Sequence, residues 1–212
     1  MVIATACAYY PVHLSLWLGQ NTTFVLLGCC GVYAGLRSRR DGLLGGMLLL
    51  VALKPQLLPL VVGLLVLERR WKALTIAGGA LATIVIAVTP ILGLAWPLHY
   101  LRFVLVDSNR GAAVAEKPMY MVTWRGVAVN LFGESAPSLV TPLFIALAVL
   151  TLGGFLWVWW RVQRRGGAGA QTVWALALVV TILISPHLNP HDLSILIAPA
   201  WLICSQVLVG EP

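Results

Sequence analysis

Between Ser185 and Asp192 the chain reads Ser-Pro-His-Leu-Asn-Pro-His-Asp, which sets two imidazoles, an amide and a carboxylate side by side between apolar stretches. Residues of these types can bind an anion, orient a neighbouring imidazole or move a proton. An ionised aspartate costs about 2.5 kcal/mol or more at the centre of a bilayer, so polar residues next to hydrocarbon usually line a cavity or a mouth. A plain connecting turn explains the same residues, because Pro186 and Pro190 break helices, Asn189 suits turns and Asp192 can cap the helix that follows. Both readings stand at this level. A zinc site does not follow from His187, His191 and Asp192, since Pro190 keeps the intervening turn from being regular helix; no metal is expected.

The elements that must position this island are membrane helices. The 212 residues are 60% hydrophobic and 10% charged, with a mean hydropathy of +0.92, which excludes a soluble globular protein. Several apolar stretches approach or exceed the roughly 18 residues that span a bilayer, and alternating strands are absent. The expected fold class is an all-α polytopic membrane protein. Net charge is +7, but the basic residues gather in short breaks at Arg37, Arg39 and Arg40, at Arg69, Arg70 and Lys72, and at Arg161, Arg164 and Arg165. Such clusters read as cytoplasmic anchors on membrane lipids, and no nucleic-acid partner is expected. Cys7, Cys29, Cys30 and Cys204 show no metal or disulfide spacing and read as small hydrophobes. Met1 opens directly onto apolar sequence, which reads as an internal start and not as a signal peptide.

Residues 1 to 9 read as the tail of a membrane helix closed by Tyr9, Tyr10 and Pro11. Leu14 to Leu36 is expected to cross the bilayer once, with His13, Gln20 and Asn21 on the far side from Arg37. Asn21, Thr22 and Thr23 match a glycosylation sequon, which an apolar helix would make inaccessible. Leu43 to Leu67 carries basic clusters at both ends, which conflicts with a single crossing. Its halves, Leu43 to Leu53 and Gln56 to Leu67, are each about 17 Å long against a hydrocarbon thickness of about 30 Å. They are expected to form a short helical hairpin, 43–67, with Lys54, Pro55 and Gln56 at its tip. Broken backbone at membrane depth is tolerated only inside protein or along a polar cavity, which makes Lys54 a site candidate. The alternative is a proline-kinked span with Lys54 snorkelling.

Ala73 to Leu94 then crosses outward, and 96–136 is expected to be an extracytoplasmic loop. It holds an amphipathic piece (His99 to Val106), a polar loop (Asp107 to Pro118) and a short helix (Met119 to Phe132) that carries Trp124 and Arg125. Ser138 to Trp160 returns inward, Gln171 to Ile184 goes out and Leu193 to Val209 comes back. The count is about five full spans plus the hairpin, in one domain over 1–212. All candidates fall on one face.

The ordered pieces Tyr10-Pro11, Gly19-Gln20-Asn21, Leu53-Lys54-Pro55-Gln56, Arg69-Arg70-Trp71, Thr123-Trp124-Arg125-Gly126, Leu131-Phe132-Gly133, Ser185-Pro186-His187 and Asp192-Leu193 together resemble glycosyltransferase family 87. The resemblance runs across almost the whole chain, and its specificity comes from order and spacing, since each piece alone is weak. It implies a GT-C-like transmembrane bundle of the kind that uses polyprenyl-phosphate mannose. His191 departs from the pattern, standing where a tyrosine is usual, so His187 is the more family-like histidine. GT-C enzymes usually carry their general-base carboxylate on the first extracytoplasmic loop, and this chain begins several helices downstream of that point. The expectation is an N-terminally truncated portion, or one piece of a split protein, with the base absent from it.

The resemblance implies transfer of a hexosyl group, in particular mannosyl, from a lipid phosphate to a lipid or glycan hydroxyl, at the outer face of a bacterial cytoplasmic membrane, with no cofactor. His187 and Asp192 are the catalytic candidates; Gln20, Asn21, Lys54, Arg125 and His191 are the substrate-binding ones. The cations would stabilise the departing phosphate. Gln20 and Asn21 would hydrogen-bond sugar hydroxyls or merely join helices, and Arg125 would meet the donor or lipid headgroups. Asp192 would orient a histidine, bind the acceptor or cap a helix. A transporter or channel subunit and a non-catalytic assembly subunit are the rival readings.

Overall fold

The computed structural model describes residues 8–102, 120–133, 135–166 and 169–209, and among these the only regular structure is helical. Residues 1–7, residues 103–106, the polar loop from Asp107 to Pro118 and Met119 lie outside the described residues.

The single span expected over Leu14–Leu36 is two helices, α1 (Tyr10–Trp17) and α2 (Thr22–Arg37). The Leu18 N–H donates to the Leu14 carbonyl at 3.0 Å and the Gln20 N–H to the Ser15 carbonyl at 2.8 Å. Gly19 takes a φ of +61°, so α1 closes on a left-handed glycine. Hydropathy does not see this break, because apolar residues stand on both sides of it.

The next segment is α3 (Asp41–Val51), a 3-10 turn (Pro55–Leu57) and α4 (Leu58–Leu67). Pro55 bars its predecessor from the helical region, and Lys54 accordingly sits at φ −124°, ψ 84°. α5 (Trp71–Leu92) follows after a tight turn. Arg70 reaches back to Asp41 at 3.8 Å and donates to the Leu36 carbonyl at 3.4 Å, which puts the starts of α3 and α5 beside the end of α2. α3 and α4 therefore run out and back. By helical rise the 11 residues of α3 reach about 16 Å and the 22 of α5 about 33 Å, so Lys54 stands about halfway up α5.

Small residues let these helices touch. A Cβ on Gly28 of α2 would lie 2.9 Å from the Leu50 Cβ and 3.0 Å from the Val51 nitrogen, and one on Gly45 of α3 would lie 2.7 Å from the Ala73 carbonyl oxygen. Close backbone approach through glycine is how helices associate where lipid removes the hydrophobic drive.

Beyond α5 come α6 (Trp96–Arg102), α7 (Trp124–Phe132), α8 (Pro137–Arg164), α9 (Ala170–Ile184), a 3-10 segment (Pro190–Leu196) and α10 (Ile197–Val209). α9 is the central post, burying Val173, Trp174, Ala177, Leu178 and Thr181. α5 and α8 are the outer wall: each is long and apolar enough to cross a membrane, yet Ala73 and Phe155 are their only buried residues. Ile91 is 81% exposed and Leu150 71%. Apolar exposure on that scale suits hydrocarbon and not water, and with the helical content it makes this an all-α membrane protein.

One end of the bundle gathers the three arginine clusters. Gln163 donates to Glu68 at 2.9 Å, tying α8 to α4, and Tyr33 donates to Gln171 at 3.1 Å, tying α2 to α9. Arg161 and Arg164 lie over Trp157 and Trp160 at 4.1 and 4.0 Å.

Candidate functional site

At the opposite end, α9 stops at Ser185, whose φ −62°, ψ 136° is forced extended by Pro186. The chain re-enters helical geometry at Pro190, just after the extended Asn189, which forms a reciprocal cap with Asp192. The Asn189 side chain accepts from the Asp192 backbone N–H, and Asp192 Oδ2 accepts from the Asn189 N–H at 3.0 Å. The turn reading of this octapeptide thus describes its backbone correctly.

The other carboxylate oxygen does something no local pattern requires. Asp192 Oδ1 accepts from the ammonium of Lys54, at the tip of the α3–α4 hairpin. It also accepts from the Thr22 hydroxyl at 3.0 Å, and His191 Nε2 lies 3.5 Å away. Thr22 is fully buried, Asp192 is 2% exposed and Lys54 7%. A charge so far from water persists only when paired and hydrogen-bonded, as both are here.

Further ties close around this pair. The Asn21 amide donates to the Leu53 carbonyl at 3.3 Å, joining the start of α2 to the hairpin tip. Gln56 donates to the His187 carbonyl at 3.5 Å, Arg125 to the Pro186 carbonyl at 3.3 Å and the Val122 N–H to the Leu188 carbonyl at 3.1 Å. α7, with Arg125 in its first turn, is held against α8 by the Trp124 indole, which donates to Thr151 at 2.8 Å. Four separate stretches of chain meet here: the start of α2, the hairpin tip, the start of α7 and the octapeptide.

Lys54, His191 and Asp192 are therefore buried together, with Asn21 tied to the hairpin tip and the half-buried His187 and Arg125 at the octapeptide turn. Gln20 is not drawn in: its backbone N–H closes α1, and no hydrogen bond of its side chain occurs among the described residues. Sequence reasoning passes over Thr22 and Gln56. Thr22 hides in the discounted sequon, and Gln56 is read only as part of the tip; the lysine-proline-glutamine run is the one local signal for it.

Asp192 accepts from three donors, which accounts for three of the roughly four lone-pair sites of a carboxylate. That geometry suits a counter-ion and cap better than a general base. Asp41 and Glu68, the other described carboxylates, sit at the arginine end. Among the described residues no group of three or more His, Cys, Asp or Glu gathers as metal ligands would.

A helical membrane protein that gathers lysine, arginine and histidine side chains around a buried carboxylate at one end is the class that fold and side chains define. Its family is recognisable as well: the model of glycosyltransferase family 87 matches residues 1–186, and the chain belongs to that family. The matched span ends one residue before His187, so the buried ion pair joins Lys54 inside it to Asp192 outside it. No curated protein matches the chain. No solved structure matches it either.

Proposed function

We propose that this protein transfers a hexosyl group, in particular mannosyl, from a polyprenyl-phosphate sugar to a hydroxyl of a lipid or glycan acceptor. The acceptor oxygen attacks the anomeric carbon, the bond from that carbon to the phosphate oxygen breaks, and the lipid phosphate leaves with the electron pair. A base takes the hydroxyl proton. The leaving phosphate gathers negative charge and needs no proton if cations meet it. Lys54, Arg125, His187 and His191 are the cations for that task, and His187 is the one closest to the family pattern.

The observation that carries this reading is the meeting of those four residues, from three separate stretches of a family 87 chain, at one end of the bundle. Asn21, occupied with Leu53, is reassigned to joining helices. Asp192 is the counter-ion of the site. The base is assigned to a carboxylate outside the described residues, in keeping with the GT-C pattern. The arginine end supports a cytoplasmic assignment for that end, and hence an outward-facing site in a bacterial cytoplasmic membrane.

The test is transfer from labelled polyprenyl-phosphate mannose by membranes carrying the full protein. His187→Ala should lower kcat about 100-fold or more, the scale of one lost charge-stabilising group. Unlabelled acceptor with wild-type protein, alongside solute flux in liposomes, would instead establish a transporter.

A further inference from the structure

We propose that Asp192 and Thr22 are positioning residues for Lys54: the buried carboxylate, oriented by the Thr22 hydroxyl, aims the Lys54 ammonium at the phosphate of the lipid-linked donor. This rests on the reading of Lys54 as a phosphate ligand given above.

A lysine ammonium is a mobile point charge on a flexible stem, and Lys54 stands at a proline turn between two short helices. The other hydrogen bonds that tether the tip, from Asn21 to the Leu53 carbonyl at 3.3 Å and from Gln56 to the His187 carbonyl at 3.5 Å, are long and neutral. The charge-assisted contact with Asp192 is the strongest of the three. Asp192 in turn cannot rotate away. Its Oδ2 is held by the Asn189 N–H of its own cap and its Oδ1 by Thr22 at the start of α2, so its direction is set from both sides.

Donor arithmetic leaves room for substrate. An ammonium has three N–H groups. Among the described residues only Asp192 receives one from Lys54, which leaves two for phosphate oxygens. The carboxylate also keeps the ammonium from swinging out to water before substrate arrives, as an uncompensated buried charge would.

The experiment measures binding of polyprenyl monophosphate to the full protein in nanodiscs by tryptophan quenching, with a melting temperature recorded for every variant. Lys54→Ala and Asp192→Asn should each weaken binding about tenfold or more, and Thr22→Val by about threefold to fivefold, the worth of a charged and a neutral hydrogen bond. Thr22→Ser should restore the affinity. The double variant K54A/D192N should bind no more weakly than Lys54→Ala alone, because Asp192 acts only through Lys54. A purely structural role would lower melting temperatures and leave Kd unchanged, which overturns the proposal. If Lys54→Ala weakens binding while Asp192→Asn and Thr22→Val match wild type, positioning is overturned and the phosphate reading stands. If Lys54→Ala binds polyprenyl monophosphate as tightly as the wild type, or the wild type itself does not bind it, that reading falls and the proposal with it. Should Asp192→Asn fail to fold, the pair Thr22→Val and Thr22→Ser decides.

Discussion

Lys54 and Asp192, separated by 138 positions, form a buried ion pair that joins the tip of a half-length hairpin to the turn after α9. Removal of one partner strands the other charge away from water, so Lys54→Ala or Asp192→Leu should each cost about 3–5 kcal/mol of stability. The double apolar replacement K54M/D192L should recover much of that loss while abolishing function. Thermal unfolding in detergent, set beside transfer activity, checks both halves of this statement.

Glycine packing makes a prediction with two signs. Gly28→Leu places a side chain where the Leu50 Cβ already stands 2.9 Å away and should cost about 1–3 kcal/mol or prevent α2 and α3 from closing. Gly63→Ala on α4 meets nothing within 4 Å and should be neutral or gain up to about 1 kcal/mol from helix propensity. Melting temperatures of the two variants should move in opposite directions or at least differ clearly.

The out-and-back path of α3 and α4 is open to labelling. Ser38, Arg69 and Pro186 are all exposed. In a cysteine-free background, Ser38→Cys and Arg69→Cys should react with a membrane-impermeant maleimide from the same side, and Pro186→Cys from the other. Reaction of Ser38→Cys and Arg69→Cys from opposite sides would mean a single kinked span in place of the hairpin.

α7 is held to α8 through the Trp124 indole and the Thr151 hydroxyl, 2.8 Å apart. Thr151→Val keeps the shape and removes the acceptor, and should loosen α7 by about 1 kcal/mol. Faster amide hydrogen exchange across Trp124–Phe132, with the α9 amides unchanged, is the expected signature.

Much of the architecture is legible in the chain. Composition alone demands a membrane protein, the arginine clusters mark one end of the bundle, and the helix-breaking prolines locate the octapeptide. The family resemblance, carried by short ordered motifs, agrees with the match over residues 1–186. The break at Gly19 is less legible, because hydropathy averages over the four residues between α1 and α2.

What only the tertiary structure decided is which polar group meets which. Local pattern assigns Asp192 to a cap, and it is one; the same carboxylate also receives Lys54 and Thr22 because the glycine contacts Gly28–Leu50 and Gly45–Ala73 set how α2, α3 and α5 pack. Hydropathy and motif spacing are local properties of the chain. The partner of a buried charge depends instead on helix rotation and depth, which are set by packing among segments far apart in sequence.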